Sequence, residues 1–349
     1  MEDMYDIINE VCVSSDNDGH VLATIVDVEG SAYKKEGASM LFKQDGAHVG
    51  MLSAGCLEED LAARIEVGLH HTDPLVTYNM KSVDELSWGE GSGCNGVIRV
   101  LMEVVDAPLK SHLMKLKHYL ELGKAVTSIK KIKCQTNENE YLFFVDSQEV
   151  FGEWIGDIPA ELKQLASNTP SPFFKSGIRK INELSSTIYI HQIQPKPRLF
   201  VFGAGTDARP LVDFASKAGF SVHVIDWRPA LCNKKYFPTA DNITIGFPDE
   251  VMNQLSISSH DFVVILTHNF NRDKQIVSFL LNLELRYLGI LGSRQRTKRL
   301  LGGEEIPSKI TSPIGLNIDA IGAEQIAISV VAELIQLSNK AQLRGAISL

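Results

Sequence analysis

Two cysteines stand in glycine-rich surroundings where a thiol could meet a soft metal or a sulfur donor. Cys56 lies in "GMLSAGCLEED" (50–60), directly after Gly55 and at the start of an apolar helical stripe of Leu57, Leu61 and Ile65. Helix-start N–H groups favour a thiolate. Glu58, Glu59 and Asp60 suit the same positive end and push the other way. Cys94 lies in "GEGSGCNG" (89–96), beside Gly93, where four glycines in eight residues let backbone N–H groups wrap an anion or a planar ligand. The plain alternative for each thiol is a small buried hydrophobe. "EGSAYKKEG" (29–37) adds a third polar glycine turn, with Ser31, Lys34 and Lys35 placed to meet an anion.

A second constellation lies in the other half of the chain. "VFGAGTDARPL" (201–211) supplies Gly203-x-Gly205-x-x-Ala208, a dinucleotide-type turn between a strand and a helix. Gly203 permits the tight turn, Gly205 lets a pyrophosphate approach the backbone, and a small third residue lets helix and strand pack closely. An acid follows at the end of the next strand, Asp226, where a carboxylate grips ribose hydroxyls. Any sheet of this kind needs a glycine turn, ligand or not. Arg228 either accepts a 2′-phosphate or pairs with Asp226. "THNFNRD" (267–273) places His268 and Asp273 after a strand, positioned for acid–base or ligand work. "LGSRQRT" (291–297) ends another strand with Arg294 and Arg296, either forks for phosphate or carboxylate or a solvated basic helix start. No nucleophile triad and no metal-spaced His/Cys cluster emerges, so no residue is assigned a catalytic role.

The elements that must hold these residues fall into two groups. In the first, strands are expected over 21–28, 38–43, 48–52, 74–80 and 96–105, with helices from about Cys56 to Leu69 and near 108–122, then a hairpin from "AVTSIKKIK" and "YLFFVDS". This is an α+β pattern over 1–150. Residues 151–197 read as irregular, with a short helix near 159–167, and end in "QPKPRL". There Pro195 and Pro197 enforce extended backbone, so the segment reads as a linker. From 198 to 349, short apolar strands alternate with helices, the signature of a Rossmann-like domain with a parallel sheet. The fold class is therefore α/β in two parts. The last helix, "AEQIAISVVAELIQL", is apolar over much of its circumference, which suits burial under the sheet or in a subunit interface.

Composition narrows the function. A 349-residue chain with 44% hydrophobic and 22% charged residues has the balance of a globular protein and length for two domains. A net charge of −9 without a long basic run argues against a general nucleic-acid partner. No signal peptide or membrane span is read, so a cytoplasmic address and no membrane partner are expected. Five cysteines, widely spaced and without a C-x-x-C pair, are expected to be free thiols.

"EGSAYKKEGASML", "GMLSAGCLEEDL" and the "GSGCNG" loop resemble the N-terminal module of the XdhC/CoxI family. "LFVFGAGTDARPLVDFASKAGFSVHVIDWRPAL", "THNFNRD", "YLGILGSRQRTKRLL" and "PIGLNIDAIGAEQIAISVVAELI" resemble its C-terminal Rossmann module. The chain departs from the family pattern at Tyr33, Lys34, Ala54, Asn95 and Thr206, the last standing where members often have histidine. The resemblance implies an accessory protein of a xanthine dehydrogenase-type molybdenum hydroxylase in purine catabolism. Such a protein binds molybdenum cofactor transiently in its molybdopterin form, supports its sulfuration and delivers it to the apo-enzyme. By position, Cys56 and Cys94 match the family's glycine-flanked cysteines and become contacts for molybdenum or sulfur, with Gly55 and Gly93 beside them. Gly203, Gly205, Asp226 and Arg228 match the Rossmann fingerprint, and His268 and Arg294 join them as cofactor-binding candidates. The implied partners are the apo-enzyme and a cysteine desulfurase, and a homodimer is expected. The alternative is an NAD(P)-dependent oxidoreductase working through the C-terminal domain.

Overall fold

The computed structural model describes residues 2–13, 19–53, 55–80, 95–132, 139–145, 149–167, 175–181 and 186–343. Two compact units result, Met1–Pro195 and Lys196–Leu349.

The first unit contains two antiparallel five-stranded sheets. Helix α1 (Glu2–Val13) precedes strands β1 (Val21–Ser31), β2 (Ser39–Phe42) and β3 (His48–Gly50). Helix α2 (Cys56–Glu66), strand β4 (Leu75–Asn79) and the long strand β5 (Asn95–Val104) follow, and the sheet order is β3-β2-β1-β5-β4. Helix α3 (Ala107–Glu121) starts where the sequence demands. Asp106 accepts a hydrogen bond from the Leu109 N–H, Pro108 occupies the first turn, and Leu109, Leu113, Leu116 and Leu120 make one buried stripe.

The second sheet has the order β8-β7-β6-β10-β9. It is built from β6 (Val126–Ile132), β7 (Tyr141–Phe144), β8 (Val150–Glu153), β9 (Gly177–Ile181) and β10 (Ser186–Ile193), with α4 (Ala160–Ser167) between β8 and β9. The expected hairpin is β6 paired with β7. Residues 151–197 differ from the irregular linker expected of them. β10 pairs with β6 along seven residues, from Thr187 opposite Ile132 to Ile193 opposite Val126. The reason is long-range: β10 finds its partner some sixty positions upstream, and its Ile188, Tyr189 and Ile190 are buried among residues distant in the chain, such as Ile129, Leu142 and Val26. Local pattern carries no trace of such a contact.

The second unit is a parallel sheet of six strands: β11 (Arg198–Phe202), β12 (Ser221–Asp226), β13 (Asn242–Ile245), β14 (Phe262–Ile265), β15 (Tyr287–Ile290) and β16 (Ile310–Thr311). Its helices are α5 (Ala208–Lys217), α6 (Pro248–Val251), α7 (Phe270–Leu280), α8 (Arg294–Leu300) and α9 (Ala323–Leu343). The order β13-β12-β11-β14-β15-β16 is the 3-2-1-4-5-6 arrangement of dinucleotide-binding sheets, with its switch point between β11 and β14. β14 and β15 are buried at every position, as a sheet covered on both faces requires. Helix α9 packs beside α5, burying Ala327, Val330, Val331 and Leu334. Ile328 and Ile335 on the same helix remain exposed. No helix of the described residues is long and apolar enough to cross a membrane.

Candidate functional site

The two glycine-flanked cysteines fare differently. Cys56 is the first residue of α2, after Gly55 at φ +121°, a conformation that favours glycine. The helix start is closed by a local network. Ser53 Oγ accepts from the Gly55 and Leu57 N–H groups, each at 3.2 Å, and Glu58 reaches back to accept from the Leu52 and Ser53 N–H groups at 3.0 and 2.6 Å. Partial burial raises the Glu58 carboxyl, but Ser53 and the N–H groups outweigh it, so its pKa lies below the usual range. Asp60 faces Arg64 and the Tyr78 hydroxyl, both at 2.6 Å. Glu58 and Asp60 are thereby held by the preceding turn and by Arg64 and Tyr78, respectively. Gly93 and Cys94 lie outside the described residues, and among those residues no group of three or more His, Cys, Asp or Glu side chains could hold a metal ion.

In the second unit the remaining candidates gather along one edge, because every turn that follows a parallel strand emerges at the strands' carboxyl ends. Gly203 follows β11 at φ +125°, and a Cβ there would lie 2.5 Å from the Leu266 carbonyl oxygen. Its smallness is demanded by the neighbouring strand's backbone. Gly205 is not at positive φ; the place of its Cβ is 2.6 Å from Asp207 Oδ1.

Asp226 sits at the end of β12 with its side chain fully buried. It accepts from the Ala204 N–H at 2.8 Å, the Arg228 N–H and Nε at 2.9 Å, and Arg228 Nη2 at 2.7 Å. Of the two sequence readings of Arg228, pairing with Asp226 is the one observed. Burial raises the Asp226 carboxyl, but the guanidinium and the two N–H groups overcome it and hold it below the ordinary carboxylate range. That carboxylate fastens β12 to the glycine turn and is no longer a free acceptor for a sugar diol.

His268 and Asp273 are separated in role. Asp273 is buried and takes Arg296 Nη2 at 2.6 Å together with the Thr267 hydroxyl. His268, at φ +58°, instead turns Nε2 to Asp207 Oδ2 at 2.6 Å. Arg294 is exposed at the start of α8, its Nη1 3.4 Å from the Ser312 carbonyl oxygen. Arg296, the other basic candidate of that turn, is held by Asp273.

Three contributors escaped the motif reading. Trp227 follows Asp226 directly, Phe247 lies just after β13, and Arg272 stands in the first turn of α7. The Arg272 guanidinium lies 4.5 Å from the Phe247 ring centre and 5.9 Å from that of Trp227, and Arg228 stands 4.6 Å from the Trp227 ring. Phe247 keeps 38% of its surface exposed. The aromatic at 227, next to the fingerprint acid, was the available signal; the approach of Arg272 from another strand's helix was not.

Fold and turn together define a protein with a unit of antiparallel sheets followed in the chain by a Rossmann domain of dinucleotide-binding order. Residues 15–79 match the XdhC and CoxI family, 107–194 the BH1974-like central domain, and 199–334 the XdhC Rossmann domain. The chain is 45% identical to a probable xanthine dehydrogenase subunit from Bacillus subtilis (strain 168), over 92% of this chain and 94% of that one. It is 24% identical to the molybdenum cofactor insertion chaperone PaoD of Escherichia coli (strain K12), over 90% of this chain and 82% of that one. A crystal structure of a xanthine dehydrogenase from Bacillus halodurans superposes with a TM-score of 0.82 at 45% identity, covering 97% of this chain and 96% of that one. The chain belongs to the XdhC and CoxI family.

Proposed function

We propose that this protein is an accessory factor of a xanthine dehydrogenase-type molybdenum hydroxylase, receiving molybdenum cofactor and passing it to the apo-enzyme. The name of the Escherichia coli relative, a cofactor insertion chaperone, supports the accessory role, and that of the Bacillus subtilis relative, a probable xanthine dehydrogenase subunit, supports the client class; both alignments run through nine-tenths of the chain. The observation that carries the binding reading is the guanidinium–aromatic edge of Trp227, Phe247 and Arg272, at the carboxyl ends of β12 and β13 and the start of α7. Molybdopterin is a planar heterocycle with a phosphate, and a ring face with a guanidinium over it suits both parts. In this reading Arg272 meets the phosphate and Phe247 the ring, Arg294 is a second basic contact, and Gly203, Gly205 and Asp226 keep the crevice in shape. When bound, the cofactor supplies the molybdenum and dithiolene chemistry that the client enzyme uses.

Cys56 and Cys94 are proposed as soft contacts for the metal end or for the sulfur being installed. Support of sulfuration, transient binding, a cysteine desulfurase partner and a homodimer belong to the same proposal. The rival, an NAD(P) oxidoreductase, needs in its NAD form an acid free to take ribose hydroxyls and in its NADP form an arginine free to take a 2′-phosphate, whereas Asp226 already accepts four hydrogen bonds, three of them from Arg228.

The test is capture and transfer. The chain is purified from cells that make molybdenum cofactor and from cells that do not, and released pterin is quantified by fluorescence after oxidation. The loaded protein is then mixed with cofactor-free xanthine dehydrogenase-type enzyme. Pterin bound near stoichiometry and recovered client activity are expected. No captured pterin from the cofactor-producing cells would overturn the proposal, and turnover of NADH beside it would favour the oxidoreductase.

A further inference from the structure

The glycine turn carries a carboxylate of its own. Asp207 immediately precedes α5, yet its side chain makes no hydrogen bond to the helix it introduces. It bends back instead. Oδ1 lies 2.6 Å from where a Cβ on Gly205 would sit, and Oδ2 lies 2.6 Å from His268 Nε2. The His268 ring comes within 4.0 Å of the same point, from a left-handed backbone state that non-glycine residues adopt only at a cost. Two residues 61 positions apart thus converge on the open side of Gly205. That side is where a dinucleotide's pyrophosphate must come close to the backbone. A carboxylate there opposes a second anion, and two cations of the flanking turns are spent, Arg228 on Asp226 and Arg296 on Asp273, while Arg209, in the first turn of α5, lies 3.9 Å from the Tyr236 ring centre.

We infer that Asp207 is a specificity-determining residue: its carboxylate, steadied by His268 over Gly205, excludes diphosphate-bearing nucleotides from the glycine turn. Phosphate recognition is left to the guanidinium side of the crevice, at Arg272. The exclusion concerns what the turn rejects. Only the statement of what Arg272 admits rests on the function proposed above.

The test uses the full chain and two probes, ADP and adenosine, titrated by calorimetry at one fixed salt concentration near neutral pH. Asp207→Asn keeps shape and removes charge. It is expected to tighten ADP at least tenfold, to leave adenosine unchanged, and to make ADP binding more sensitive to salt. His268→Asn keeps the carboxylate and tolerates the left-handed backbone; it is expected to gain clearly less ADP affinity than Asp207→Asn. Asp207→Ser, which can cap α5, is the second variant should the asparagine protein fold poorly, and the same gain is expected of it. The inference is overturned if neither Asp207 variant binds ADP more tightly than wild type. It is also overturned if His268→Asn gains as much as Asp207→Asn, since ring packing and not charge would then close the turn. Pterin capture by the same proteins separates the two ideas. A wild type that captures no pterin defeats the proposed function while the ADP comparison still decides the role of Asp207.

Discussion

Replacing Asp226 by alanine removes a carboxylate that accepts four hydrogen bonds within 2.9 Å, one from the glycine turn and three from Arg228. Breaking one side of a buried ion pair costs about 3–5 kcal/mol, because the remaining partner is left desolvated. Here Arg228 keeps 36% of its side-chain surface exposed and can rehydrate, which places the loss at the lower end, about 3 kcal/mol. For a unit of this size that corresponds to a fall in Tm of about 6–12 °C. The assay is chemical and thermal unfolding of wild type, Asp226→Ala, Arg228→Ala and the double variant, read as a cycle with a coupling of about 2 kcal/mol.

The acid limb gives a second reading of the same pair. The folded carboxyl lies below its unfolded value, so the unfolded state binds the extra proton. The stabilisation is complete above the unfolded carboxylate pKa and disappears as pH falls through the folded one. Wild type and Asp226→Ala should therefore converge in strong acid. A coupling below about 0.5 kcal/mol, or an unchanged gap down the acid limb, would refute the claim that this carboxylate is spent on structure.

Three further outcomes are expected. Gly203→Ala should cost about 3 kcal/mol or more, from a strained backbone and a Cβ pressed against the Leu266 carbonyl, and near-normal melting would show that the turn relaxes. His191 in the first unit is pushed down to about 4, chiefly by burial and further by the Lys130 charge. The unfolded state therefore binds its proton first, and stability should fall by up to about 1.4 kcal/mol per pH unit from pH ~6.5 towards 4; His191→Gln should flatten that slope in acid titrations followed by circular dichroism. The buried Tyr189 hydroxyl finds no hydrogen-bond partner among the described residues, so Tyr189→Phe should unfold within about 1 kcal/mol of wild type or later, whereas a loss above about 2 kcal/mol would reveal a partner.

Much of the molecule was legible in the chain. The strand–glycine turn–helix at 199–217 and the acid at 226 follow from patterns of two to twenty residues, and the sheet is parallel, as the strand–helix alternation led one to expect. The start of α2 at Cys56 was also readable, because a glycine followed by an acidic first turn is local information. The second antiparallel sheet was not: β10 lies more than fifty residues from β6, and neither strand shows which edge it joins. Arg272 likewise reaches the aromatic pair only because α7 brings it there.

Local residue order therefore determined where the turns fall, which residue types line them, and the family to which the chain belongs. Tertiary structure alone decided which of those side chains are still free to act. Asp226 and Asp273 read as ligand groups in one dimension but are consumed by Arg228 and Arg296, and Asp207 emerges as the partner of His268. The physical reason is that a charge's availability depends on what stands within a few ångströms of it, and chain distance says almost nothing about that.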